Sequence, residues 1–158
     1  MNRSWHLLLS GILLTTLFWG CGADTIVDSN KSMPARNWNY ANTVRAVVEI
    51  RDAAKPVSIY FNLRLTSDYK YSNIFVLFHL NGAGQKKQSR RYEYRLAEPD
   101  GQWLGSGSGN LYTYVLPLLT RYRFPSPGKY ELEIVQNMRD NPLKEISDAG
   151  IKVVQLEK

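Results

Sequence analysis

The decapeptide VSIYFNLRLT, Val57 to Thr66, puts Val57, Ile59, Phe61, Leu63 and Leu65 on one side of an extended chain and Ser58, Tyr60, Asn62 and Arg64 on the other. Only a strand sorts side chains this way, because successive Cβ atoms point to opposite faces; a helix would spread those five apolar residues around its circumference. The same period recurs in VRAVVEI, where Val44, Ala46, Val48 and Ile50 oppose Arg45 and Glu49, and in RRYEYRL, where Tyr92, Tyr94 and Leu96 oppose Arg91, Glu93 and Arg95. NIFVLFHL, Asn73 to Leu80, is apolar on both faces and is predicted for the middle of a sheet. LYTYVLPLL, GKYELEIVQ and GIKVVQL complete the series, and NGAG at 81–84, EPDG at 98–101, GSGSGN at 105–110 and PSPG at 125–128 supply turns between them. With no amphipathic helix of any length, about seven strands predict an all-β chain, a single antiparallel β-sandwich over residues 37–158. Immunoglobulin-like and jelly-roll-like connections fit the pattern equally.

Ahead of this domain lies LLLSGILLTTLFWGCGADT, which ends an apolar run on the one cysteine of the chain, Cys21. Met1 and Arg3 make a short positive region before the run, which at about twelve residues is too short to span a bilayer. Gly20 and Gly22 flank the thiol as they do where a bacterial lipoprotein is cut before cysteine and acylated on it, although Phe18 and Trp19 are bulkier than usual upstream of such a junction. The expectation is therefore a signal peptide over 1–20, a lipidated Cys21 with a polar tether over 21–36, and attachment to a membrane through two or three acyl chains. The tether lacks an acidic run, which favours a periplasm-facing protein of the cell envelope. Processing would remove the last thiol available for a disulfide, so the domain must be held by packing.

The inventory for chemistry is thin. His6 leaves with the signal, so His79, inside a strand, is the remaining histidine, and neither a His-rich metal site nor a Cys-His pair can be assembled. Glu98, Asp100, Asp140, Glu145 and Asp148 fall in or near turns, where solvated carboxylates are common. GSGSGN lacks the Gly-Lys-Ser/Thr ending of a phosphate loop and precedes a strand. No catalytic residues, metal or cofactor are expected. The formal net charge of +6 suggests nucleic acid first, but an exported protein meets phospholipid and glycan instead, so nucleic acid is not expected. The cluster KKQSRR, Lys86 to Arg91, reads either as a contact for an anionic surface or as a charged strand edge that discourages pairing. Ten tyrosines and four tryptophans are more telling. Trp103, between a turn and the glycine-rich loop, reads either as a plug for the sandwich or as a platform for a sugar or peptide.

Trp38, YKYSNIFVLF at 69–78, DGQWLGSGSG at 100–109 and MRDNPLKEISDAGIKV at 138–153, in that order behind a lipid signal, resemble the gliding-motility lipoprotein GldH family of the Bacteroidetes. In the last block Glu145 stands before Ile146 where the family pattern would have glycine. The resemblance implies a lipid-anchored, non-enzymatic part of the envelope apparatus for movement over surfaces, with other envelope proteins of a motility or secretion apparatus as partners. In a host that does not glide it implies envelope assembly or support of secretion.

On this reading the candidate interaction surface comprises Trp103 together with Met138, Arg139, Asp140, Asn141 and Asp148 from a polar loop expected over 138–150. A glycan is the alternative partner, held by Trp103 with Tyr112 and Tyr114 as a carbohydrate-binding module would hold it.

Overall fold

In the computed structural model, which describes residues 24–82 and 84–157, the alternating segments form two antiparallel sheets packed face to face. One has the strand order β1 (Asp24–Ser32), β11 (Ile146–Gln155), β4 (Val57–Thr66), β8 (Leu111–Tyr122), β7 (Ser106–Ser108). The other has the order β3 (Val44–Ile50), β9 (Gly128–Gln136), β5 (Asn73–Gly82), β6 (Gln85–Arg95). A short pair, β2 (Asn37–Trp38) with β10 (Leu143–Lys144), lies at one end. Among the described residues there is a 3-10 turn, Pro34–Arg36, and no α-helix. The expected signal peptide, 1–20, and Cys21 lie outside the described residues.

The core is made by the predicted faces. Ile59, Phe61, Leu63 and Leu65 of β4 are buried, as are Ile151 and Val153 of β11; facing them are Val44, Val48, Ile74, Val76, Leu132 and Ile134 of the four-stranded sheet. Each such side chain taken out of water contributes about 1.5–3 kcal/mol before conformational entropy is set against it. β5 lies between β9 and β6, as its two apolar faces require. Its outward Phe75 is covered by the guanidinium of Arg91, 4.0 Å from the ring centroid.

Among the described residues there are eleven strands rather than about seven, and four additions explain the difference. β2 and β10 have two residues each, and β7 is Ser-Gly-Ser, so none carries a period that could be read. β1 occupies a stretch expected to be tether. Its side chains are mostly exposed, and it is held by its ladder to β11, from Asp24 opposite Gln155 to Ser32 opposite Asp148. Residues 146–150, expected in a loop, are the start of β11.

The strand directions define two ends. The segments 33–43, 67–72, 96–110 and 137–145 gather at one, as the bonds Ser67 N–H to Asn110 O (2.9 Å) and Thr66 N–H to Glu145 O (3.0 Å) record. The start of β1, the 51–56 loop, the β5–β6 turn and the 123–127 loop gather at the other, where Leu156 N–H donates to Pro56 O at 2.9 Å.

Candidate functional site

β9 carries its inward face, Tyr130, Leu132 and Ile134, one step further to a polar residue, Gln136, which is 1 % exposed. A buried amide must be satisfied, and Gln136 is satisfied by shaping the chain that follows. Its Oε1 accepts from Met138 N at 2.8 Å, and its Nε2 donates to Asp140 O at 3.0 Å and to Trp38 O at 3.4 Å. Met138 is half-buried, with its sulfur accepting from Phe75 N at 3.2 Å. The loop thereby clamped presents Arg139 and Asn141 to solvent; Asn141 is joined to Pro142 by a cis peptide. Tyr40 lies across it, with its hydroxyl donating to Met138 O at 2.6 Å and its N–H donating to Asn141 Oδ1 at 3.0 Å, and remains 42 % exposed.

Asp140 links this loop to an aromatic row. Its Oδ2 accepts from the Tyr71 hydroxyl at 2.7 Å and lies 3.7 Å from Lys70 Nζ. Tyr71 packs edge-on against Tyr69, ring centroids 5.8 Å apart; Tyr69 meets Trp103 at 6.5 Å and Trp103 meets Tyr112 at 5.5 Å. The turn at 98–101 aims Trp103 inwards, with Glu98 N–H donating to Gln102 O (2.8 Å) and Trp103 bridged to Ala97. The next residue, Leu104, is 50 % exposed. Burial, with Tyr71 and Asp140 nearby, pushes the Tyr69 phenol well above its ordinary range, so it stays neutral.

Trp103, Met138, Arg139, Asp140 and Asn141 thus meet at one end of the sandwich. Asp148 does not join them. It is 8 % exposed in β11, on the outward side of the five-stranded sheet, where its Oδ2 accepts from Arg64 Nη2 at 2.5 Å and Nε at 2.7 Å. This pair lines a groove of about 380 Å³ with Asp28, Asn30, Asn62 and Lys152. Tyr114 is turned inwards as well, its hydroxyl donating to Leu96 O at 2.8 Å, so it cannot serve as an open stacking surface. Trp103 is packed on two tyrosines, which is the geometry of a plug with one exposed rim. Tyr40, Tyr71 and Gln136 were not foreseen as members of this surface. Gln136 carried a readable signal, since a glutamine on the inward register of a strand must find partners at the strand's end.

The other groups weighed for chemistry lie away from this surface. His79 Nδ1 is 2.7 Å from Ser89 Oγ on the outward face of the four-stranded sheet. Among the described residues no three His, Cys, Asp or Glu side chains converge to hold a metal ion. The basic cluster 86–91 is spread along β6, the edge strand. Lys87 pairs with Glu133, Arg90 lies over the Tyr92 ring, and Arg91 Nε donates to Asn137 Oδ1 at 2.8 Å, so both faces of the free edge carry charge.

Comparison with known proteins finds relatives over most of the chain. The chain is similar to a gliding motility lipoprotein GldH homolog of Christiangramia forsetii, 29 % identical over 149 residues, covering 90 % of this chain and 91 % of that one. It is also similar to the gliding motility lipoprotein GldH of Flavobacterium johnsoniae, 26 % identical over 155 residues, covering 92 % and 96 %. No solved structure matches. The profile of the GldH lipoprotein family matches residues 25–153, from the second residue of β1 to the inward-facing Val153 of β11, and the chain belongs to that family of lipoproteins.

Proposed function

We propose that this protein is a non-enzymatic, lipid-anchored component of the cell envelope, facing the periplasm, that acts by binding other envelope proteins of a motility or secretion apparatus. Cys21 is the attachment point, and the end of the sandwich bearing Tyr40, Tyr71, Trp103, Leu104, Arg139 and Asn141 is the contact surface. The observation that carries the contact surface is Tyr40. A tyrosine held rigid by two hydrogen bonds and still 42 % exposed offers amphipathic contact area at little further entropic cost, as interface tyrosines do. Leu104, half exposed beside the packed Trp103, adds apolar area, and Arg139 and Asn141 supply a polar rim.

The test is photocrosslinking in the native envelope, with the crosslinker introduced at Tyr40 or Leu104 of the tagged full-length chain and at Val47, an exposed residue of a sheet face, as the position control. Capture of motility or secretion proteins from Tyr40 and Leu104 but not Val47, lost on Cys21→Ala, is the expected result. Capture of glycan-uptake proteins or polysaccharide instead would replace this reading with the carbohydrate one.

A further inference from the structure

Resting on the lipid-anchored reading above, we propose that the opposite end of the sandwich is a docking face for the headgroups of an anionic bilayer, so that the fold stands upright with its aromatic end pointing away from the membrane. The ladder fixes where the chain enters. Asp24 pairs with Gln155, which pairs with Val57, which pairs with Tyr122, so β1 begins at the end remote from Trp103. Cys21 precedes Asp24 by three residues, and three residues of extended chain reach about 11 Å at most. An acyl anchor on Cys21 therefore holds this end against the headgroups. The aromatic end lies one strand away, about 33 Å for the ten residues of β11 at about 3.3 Å per residue.

Charge at the two ends differs in the sense this orientation needs. Arg51, Lys55, Lys86, Arg121, Arg123 and Lys129 are exposed at the anchor end, against the carboxylates of Asp24, Glu49, Asp52, Glu131 and Glu157. At the aromatic end cations and carboxylates balance: Arg36 pairs with Glu145, Lys70 with Asp140 and Arg95 with Glu98, and the exposed Arg139 and Lys144 stand against the exposed Asp68 and Asp100. Surplus cations within a Debye length of a negative surface, about 8 Å in physiological salt, are attracted to it, and the tether is short enough to keep them there. The 51–56 and 123–127 loops, which carry Arg51, Lys55 and Arg123, each join a strand of one sheet to a strand of the other, so the contact would orient the sandwich as a rigid body.

The lipidated full-length protein can test this, because acylation blocks Cys21 and leaves an introduced cysteine as the one reactive thiol. Ala54→Cys in the basic loop and Leu104→Cys at the far end would each carry a fluorophore. The two proteins would be reconstituted in vesicles of phosphatidylethanolamine and phosphatidylglycerol containing a headgroup spin label, with phosphatidylcholine vesicles for comparison. Flotation with the vesicles reports the anchor; quenching reports the orientation. We expect both labelled proteins to float and quenching at position 54 to exceed that at 104 several-fold on the anionic vesicles. The excess should shrink on phosphatidylcholine, and also when Arg51→Glu, Lys55→Glu and Lys129→Glu are combined in a chain whose circular dichroism is unchanged. Equal quenching at the two positions, or an excess that survives charge reversal, overturns the docking face while leaving the anchor standing. Failure to float overturns the anchor and the docking face together.

Discussion

Glu145 occupies a left-handed backbone conformation, φ 67°, at the position where the family resemblance led us to expect glycine. A residue with a Cβ is held there at a cost of about 1–2 kcal/mol, and the side chain offsets part of it: Glu145 Oε2 accepts from Thr66 Oγ1 at 2.7 Å and lies 3.5 Å from Arg36 Nη1. We predict that Glu145→Ala loses those contacts and keeps the strain, whereas Glu145→Gly loses the contacts and sheds the strain. Urea titrations should therefore find the glycine variant more stable than the alanine variant by about 1 kcal/mol. His79 supplies a pH prediction. Burial, then the charge of Lys87, holds its imidazole below the ordinary value, against an opposing pull from Glu133. The unfolded chain thus binds this proton more readily, and the associated stability is full above about pH 6.5 and lost as pH falls through that value towards the lower folded one. The urea midpoint should fall between about pH 7.5 and 5, and fall less in His79→Gln. Burial alone would raise the Glu133 carboxyl, but hydrogen bonding and charge from Arg45, joined by Lys87, leave it below its ordinary value. Its own contribution is lost only at more acid pH.

At the scale of elements, the docking of β1 onto β11 depends on a glycine. Gly150 lies between Asn62 and Asn30 in one row across three strands, and a Cβ there would sit 2.0 Å from Asn30 Oδ1 and 2.6 Å from the Ser29 carbonyl oxygen. The asparagine could swing away; the carbonyl is part of the ladder and could not. Gly150→Ala should cost about 1–3 kcal/mol, the range for overpacking a tight site, and the loss should concentrate in one strand. Amide hydrogen exchange would check it: protection should drop along β1 while β4 and β8 keep theirs, and Asn30→Gly should restore little of it. The strands that were legible and those that were not divide along the same physical line. β3, β4, β5 and β9 bury one face completely, so their period is written in large apolar residues. β1 lies at a sheet edge with most of its side chains in water, and an edge strand held by backbone hydrogen bonds leaves little trace in composition.

For the whole molecule, the two sheets share one core, in which Trp38 of the small β2–β10 pair packs 6.0 Å from Phe61 of β4. Neither sheet can keep its buried face dry without the other, so unfolding should be a single cooperative transition. Near-ultraviolet circular dichroism, reporting the packed aromatic rings of both the core and the Tyr69–Trp103–Tyr112 row, and far-ultraviolet circular dichroism, reporting the strands, should give coincident urea curves. Two non-coincident curves would mean that aromatic side-chain packing is lost separately from the strands, and that unfolding is not a single transition. The sequence by itself determined the all-β class, the faces that make the core, the central place of β5 and the family, because each of these depends on local alternation or on the order of short blocks along the chain. Only the tertiary structure decided which residues share an end. Trp103 and Asp140 are joined through Tyr69 and Tyr71, and Asp148 is carried off to the outer face beside Arg64. Those neighbours lie tens of residues apart in the chain, and their meeting is set by strand register and sheet order, quantities that arise when the sheets pair and that no local pattern encodes.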